Sequence, residues 1–329
     1  MEYNYAQALD DYVSSMNMQI EKGPNSISFV TNTPEGRCVT SIFDALPFLH
    51  LIYFDIGVRS MPGDAAGSSF SAGQPPIQLN YCISGKTELM LDDQSYIYMN
   101  PGDLCLSRQA SQGETYFPLG YYQGIALYFE DAFFEAENQA FLREFLPDAN
   151  LLKTIYLTQR GTFLGEAGPE IREVMDRLWK LYSNPEIFHK KLYLMELLHC
   201  LLNPALPCPE KSCVFFTNTQ VEIAKKAEQL LTADLSTHIP IRTIAEQFGV
   251  SETSLKNYFR GVYGQNISTY LRDLRMRTGE ELLLNTGLSI AEIAFQVGYT
   301  KQGKFAEIFK EQFGQTPLEY RRRKQLQKY

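Results

Sequence analysis

Apolar and polar positions along this chain follow one period up to about residue 165 and another beyond it. Within QLNYCISGKTELMLDDQSYIYMNPGDLCLS (78–107), TELML and SYIYM alternate apolar with polar side chains, and SGK, DDQ and NPGD supply turns. Alternation with a period of two marks a strand with one face buried. YQGIALYF (122–129) reads as a further strand, and the Gly-, Ser- and Pro-rich SMPGDAAGSSFSAGQPP (60–76) reads as a long loop. Short strands at regular turn spacing predict an all-β barrel or sandwich for this first part.

The period then becomes helical. PEIREVMDRLWKLYS (169–183) sets Ile171, Val174, Leu178 and Leu181 on one face. NPEIFHKKLYLMELLHCLL (184–202) predicts a second helix, with Asn184 as N-cap and Pro185 in the first helical position. It carries Ile187, Leu192, Leu194, Met195, Leu197, Leu198, Leu201 and Leu202, more than one narrow stripe holds. Such a helix is either buried on two sides within its domain or meets a partner subunit on one of them. NPALPCPEKSC (203–213), with three prolines, ends the pattern and reads as a linker.

Beyond the linker the chain repeats itself. Ile241, Ile244, Ala245, Gln247 and Gly249 recur as Ile290, Ile293, Ala294, Gln296 and Gly298. After a one-residue insertion, Leu255, Phe259, Arg260, Tyr263, Gly264, Gln265 and Tyr270 recur as Phe305, Phe309, Lys310, Phe313, Gly314, Gln315 and Tyr320. Order kept over this many positions implies an internal duplication. Each copy reads as a helix-turn-helix: an amphipathic helix with a small Ala for close approach, Gly249 or Gly298 for a left-handed turn, and Ser251 or Thr300 to cap the second helix.

Helical spacing sorts the second helix of copy one into two faces. At about 100° per residue, Phe259 and Val262 fall within about 40° of Leu255, whereas Thr253, Lys256, Asn257 and Arg260 lie about 100–200° away. Those four, with Glu252 at the helix start, form a hydrogen-bonding face; Asn suits adenine's N6/N7 edge, and Lys or Arg suits guanine or phosphate. In copy two the equivalent positions are Gly303, Ala306, Glu307 and Lys310, with Lys301, Gln302 and Lys304 near the helix start. Copy one is therefore expected to read most of the base sequence, and copy two to hold phosphates and sense groove shape. ISTYLRDLRMRTGEELLLN (267–285) reads as a connecting helix of about 27 Å, against about 34 Å between successive major grooves on one face of a duplex.

Charge sharpens this division. The 329 residues carry a net −8, yet from Thr219 onward 16 Lys and Arg stand against 12 Asp and Glu, or +4, leaving 14 against 26, or −12, for the rest. A basic module joined to an acidic one points the C-terminal part at a polyanion. The acidic start MEYNYAQALDDYVSSM has no apolar signal-peptide core, and FLHLIYF (48–54) is too short to span a bilayer, so a cytoplasmic protein without membrane contact is expected. Six cysteines (Cys38, Cys82, Cys105, Cys200, Cys208, Cys213) lack a CxxC pair and read as reduced thiols.

On these motifs, residues 219–329 resemble the DNA-binding domain of the AraC/XylS family of bacterial transcription regulators. The resemblance rests on IAEQFGVSETSLKNYFR, YLRDLRMR, SIAEIAFQVGYTKQGKFAEIFKEQFG and TPLEYRR. Family members usually have Ala where this chain has Gly279; Gly within a helix costs roughly 1 kcal/mol and suggests flexibility between the halves. The resemblance implies an α+β, two-domain protein. Residues 1–202 would form a cupin-like β-barrel with dimerisation helices, for effector sensing; 203–218 a linker; and 219–329 an all-α domain with two helix-turn-helix units. It further implies a double-stranded DNA operator, RNA polymerase, an unidentified small-molecule or protein effector, and a homodimer as partners, with activation as the commoner outcome. The recurring turn-strand of such a barrel is similar to MNPGDLCLS (99–107).

Two other classes compete. A cupin enzyme would need clustered metal-binding histidines, but of His50, His189, His199 and His238 only His50 falls among predicted strands. No catalytic residue, metal or cofactor is expected. A purely architectural DNA binder would have no use for so large an acidic N-terminal region.

Overall fold

A computed structural model describes residues 18–23, 25–62, 77–91, 93–108, 114–157, 161–203, 210 and 214–326. The acidic start, most of the Gly/Ser/Pro-rich run and most of the expected linker, with Cys208 and Cys213, lie outside the described residues. The chain divides into two compact units between Phe215 and Phe216.

The first unit is built on an eight-stranded antiparallel sheet. Its strands are β1 (Gln19–Gly23), β2 (Ser26–Thr33), β3 (Gly36–Leu46), β4 (Leu49–Ile56), β6 (Ile77–Gly85), β9 (Asp103–Ser107), β11 (Tyr122–Phe129) and β12 (Thr162–Glu166), in the order β1-β2-β3-β4-β11-β6-β9-β12. Two-stranded ribbons, β5 (Ser60–Pro62) with β10 (Glu114–Tyr116) and β7 (Thr87–Met90) with β8 (Tyr96–Met99), accompany it. Both faces of the sheet are covered. On β4, Leu49, Leu51 and Tyr53 join the core shared with the helices, while Ile56 joins Cys38, Cys82, Cys105, Tyr122 and the ribbon residues Ile97 and Met99 on the other face. A strand buried on both faces has no polar alternation, which is why LIYF (51–54) is a continuous apolar run.

Three helices cover the first face: α1 (Leu151–Tyr156), α2 (Pro169–Lys180) and α3 (Phe188–Leu202). Ile171, Val174 and Leu178 are buried as their spacing predicts. Tyr53 reaches from β4 to donate its hydroxyl to the Leu178 carbonyl at 2.9 Å, and Trp179 stacks on Tyr182 at 5.2 Å. The start of α3 differs from expectation. Asn184 does not cap it: its Oδ1 accepts from the Glu186 backbone N–H at 2.9 Å in a local turn. The helix begins at Phe188, where the Glu186 carboxylate takes the free N–H groups of Phe188 and His189. A carboxylate two residues ahead of the helix meets the same unpaired N–H groups that an Asn cap would. On α3, Leu194, Leu197, Leu198, Leu201 and Leu202 are buried, whereas Phe188 is 66% and Leu192 52% exposed.

The second unit is all helical: α4 (Asn218–Thr232), α5 (Ile241–Gln247), α6 (Glu252–Tyr263), α7 (Ile267–Asn285), α8 (Ile290–Gln296), α9 (Gln302–Phe313) and α10 (Pro317–Leu326). The duplication is visible in packing. Phe259, Tyr263 and Tyr270 form an aromatic triad with centroid distances of 4.4, 5.3 and 5.0 Å. Phe309, Phe313 and Tyr320 repeat it at 4.4, 5.6 and 5.7 Å. In both copies the Tyr hydroxyl ends on a Glu of the supporting helix, Glu228 of α4 at 2.7 Å and Glu280 of α7.

Candidate nucleic-acid interface

Local sequence shapes the first helix pair. After α5, Gly249 adopts φ +65°, and its N–H and that of Val250 donate to the carbonyls of Glu246 and Ala245 at 3.1 and 3.0 Å. This closes the orphan carbonyls of α5, and a left-handed backbone costs glycine nothing. Two residues on, Ser251 Oγ accepts from the Ser254 N–H at 3.0 Å and starts α6 as its N-cap. Leu255, Phe259 and Val262 are each fully buried, so the opposite face of α6 is held outward by core packing.

That outward face carries the four side chains expected from helical spacing: Thr253, Lys256, Asn257 and Arg260 are all exposed. Glu252 is half-buried and its carboxylate accepts from Lys256 Nζ at 3.0 Å, one helical turn away. An exposed pair of this kind is worth at most about 1 kcal/mol, so Lys256 can exchange Glu252 for a phosphate at small cost.

In the second pair, Gly298 turns the chain with φ +85° after α8. The cap is a correction. Thr300 does not cap α9; the inserted residue moves the start, the N-cap is Lys301, and among the described residues no side-chain cap hydrogen bond forms there. A lysine side chain has no acceptor, so it cannot do what Ser251 does. Phe305 and Phe309 are fully buried, and Lys301, Gln302, Lys304, Glu307 and Lys310 are exposed. Lys304 Nζ lies 3.0 Å from Glu307, which leaves Lys301 and Lys310 as the cations at either end of α9. At Gly303 an added Cβ would meet nothing within 4 Å.

Gly279 has a packing role that propensity alone does not reveal. It is buried in the middle of α7, which runs unbroken from Ile267 to Asn285. A Cβ there would lie 2.8 Å from Phe305 Cε2 and 3.0 Å from its Cζ. The glycine therefore makes room for the Phe305 ring, where copy one has the smaller Leu255.

Sequence reasoning missed the buttressing of both pairs. α4 opens with a capping box between Thr217 and Gln220, and its Glu228, buried at 4% exposure, anchors Tyr270 of α7. The periodicity of VEIAKKAEQLL would have located that helix, but nothing in spacing alone ties Glu228 to Tyr270.

The geometry agrees with comparisons to known proteins. A family model described as "Helix-turn-helix domain" matches residues 244–323. The regulatory protein SoxS of Escherichia coli K12 is 34% identical over 103 residues, 30% of this chain and 96% of SoxS. The transcriptional activator RhaR of Enterobacter sp. (strain 638) is 30% identical over 106 residues, 32% of this chain and 38% of RhaR, so the match spans little more than a third of that relative. The Msm operon regulatory protein of Streptococcus mutans is 24% identical over 280 residues, 82% of this chain and 93% of the relative.

Proposed function

This chain belongs to the AraC/XylS family of transcription regulators, and from that premise we propose that it is an effector-responsive, sequence-specific activator that sets α6 and α9 into adjacent major grooves. The carrying observation is the two-faced build of α6: Leu255, Phe259 and Val262 fully buried, with Thr253, Lys256, Asn257 and Arg260 exposed on the opposite side. Asn257 pairs with an adenine edge, Arg260 and Lys256 take guanine or phosphate, and Thr253 and Glu252 complete the contact. On α9, Lys301, Gln302, Lys304 and Lys310 hold the backbone, with Glu307 beside them; Gly303 offers no side chain to a base. The first copy thus supplies most of the sequence discrimination.

Residues 1–202 serve as effector-sensing and dimerisation domain of cupin-like type, 203–218 as linker and 219–329 as DNA-binding domain. An unidentified small molecule or protein acting on the sheet shifts the population of DNA-competent protein, and bound protein contacts RNA polymerase in the cytoplasm. Phe188 and Leu192, one turn apart and more than half exposed on α3, supply the homodimer contact. No catalytic activity is proposed. Burial pushes the Cys82 thiol up to about 12 and raises those of Cys38 and Cys200, as suits thiols packed in a core. Among the described residues no helix is long and apolar enough to cross a membrane.

Selection of duplexes from a random library, followed by hydroxyl-radical footprinting, tests this reading. Each protomer is expected to protect two boxes about 10–10.5 base pairs apart. Protection confined to one helical turn, or the absence of an enriched sequence, refutes it.

A further inference from the structure

The glycines at the two helix-turn-helix corners share a backbone conformation but not an environment. Around Gly249 an added Cβ would meet nothing within 4 Å. Around Gly298 it would lie 2.1 Å from the carbonyl oxygen of Leu235, and 3.0 Å from both Cζ and Nε of Arg275. Leu235 belongs to the first half of the unit, in the turn after α4, and Gly298 to the second half. The corner of the second motif is thus seated directly on backbone of the first half, in the turn between α4 and α5.

Arg275 of α7 locks that seat. Its guanidinium donates to the Leu235 carbonyl at 3.2 Å and lies 5.9 Å from the centre of the Tyr299 ring, next to Gly298. Tyr299 in turn packs on Phe305 of α9, with ring centroids 5.9 Å apart. The turn that presents Leu235 is itself pinned: the Asp234 carboxylate accepts from the Ser236 N–H at 2.9 Å and from the hydroxyls of Ser236 and Thr237 at 2.6 Å each. A continuous path of contacts therefore runs from the first half, through Arg275 and Tyr299, to the buried face of the second recognition helix.

The shared helix α7 packs on the first half through Tyr270 and on the second through a core of Met276, Leu283, Ile293, Phe305 and Phe309, so it carries both halves. The Leu235–Arg275–Gly298 junction adds to that packing a direct contact between the two halves, off the axis of α7. We propose that Arg275 and Gly298 are positioning residues that fix the rotational register between α6 and α9, and so the spacing of DNA boxes that the chain accepts. This rests on the two-groove reading above. Each base pair inserted between boxes displaces the second by about 3.4 Å and about 35°, so a rigid junction makes one spacing much the best. Pre-organisation raises the effective concentration of the second helix at its groove; loosening the junction spreads that gain over several spacings.

The test uses the full chain and the duplex selected by wild type, with the inter-box spacer changed by one base pair either way and with each box alone. Wild type is expected to lose about tenfold or more in affinity at either altered spacing. Arg275→Gln and Gly298→Ala are expected to lose about tenfold at the best spacing, to discriminate the three spacings within about twofold, and to bind single boxes as wild type does. Gly249→Ala carries the same left-handed backbone strain without the seat, and is expected to keep the sharp spacing preference. An unchanged spacing profile in Arg275→Gln overturns the inference, as does equal loss on single and double boxes, or a profile flattened as much by Gly249→Ala as by Gly298→Ala. A wild type that selects only one box refutes the two-groove reading itself, which separates the two failures.

Discussion

Asn257→Ala separates recognition from folding, because the proposed reading gives Asn257 to the first and its exposure leaves it out of the second. The side chain is exposed and opposite the buried Leu255 and Phe259. Surface substitutions away from such packing change stability by no more than about 0.5 kcal/mol, and Ala is a better helix former than Asn by at most about 0.7 kcal/mol. Thermal stability is therefore expected to hold or rise slightly. DNA binding should behave otherwise. A bidentate Asn–adenine pair is worth about 1–3 kcal/mol of discrimination, or roughly 5- to 150-fold in affinity at 1.4 kcal/mol per decade. The loss should concentrate at one base pair: wild type discriminates there, and the variant should bind all four base pairs alike, at its own level for the worst. Fluorescence anisotropy on the selected duplex and its single-base variants, at two salt concentrations, reads this directly. The salt slope should be unchanged, since no phosphate contact is lost, whereas Lys310→Ala should weaken every sequence equally and reduce the slope by about one. An Asn257→Ala variant that loses affinity uniformly, or not at all, refutes the assignment of this face to base reading.

Three further outcomes follow from other sites. Gly303→Ala fills open space in a helix, so the second unit should gain up to about 1 kcal/mol by thermal melting; destabilisation would show that α9 is constrained there by something beyond its packing. Lys190 is fully buried, with Nζ 3.8 Å from the Phe43 ring centre, and burial lowers its pKa to about 8. The folded state then binds fewer protons than the unfolded one between about pH 8 and the free-lysine value, so the lysine's contribution to stability rises with pH across that window and is lost as pH falls through 8. Lys190→Met should remove that rise when its denaturant midpoints are subtracted from wild type, and an unchanged pH difference would count against a neutralisable lysine. Phe188→Glu combined with Leu192→Glu should yield a monomer by sedimentation velocity without lowering the melting temperature; a dimer of undiminished affinity would place the subunit contact elsewhere.

The C-terminal half was far more legible in sequence than the N-terminal half, for a physical reason. Each helix-turn-helix buries one stripe and exposes the other, so Leu255, Phe259 and Val262 declare the core and Thr253, Asn257 and Arg260 declare the surface. Strands β4 and β11 bury both faces, and Leu49, Leu51, Ile52 and Ile125 carry no alternation to read. Local rules failed where a near neighbour could take over a cap. Glu186 caps α3 in place of Asn184, and the inserted residue passes the α9 cap from Thr300 to Lys301. Gly279 looked like a flexible point because propensity treats each residue alone, whereas its role is set by the ring of Phe305, 26 positions away in the chain. The seat of Gly298 on the Leu235 carbonyl was invisible for the same reason, since only the fold brings them together.

The two copies of the motif are related by sequence but carry unlike side chains, Asn257 and Arg260 on α6 standing where α9 has Glu307 and Lys310. Two unlike wedges in tandem possess no twofold axis, so a duplex that suits them has a head and a tail. A palindrome is blind to its own direction; the site read by one protomer is an arrow, and reversing it beside a promoter would turn that protomer to face the opposite way.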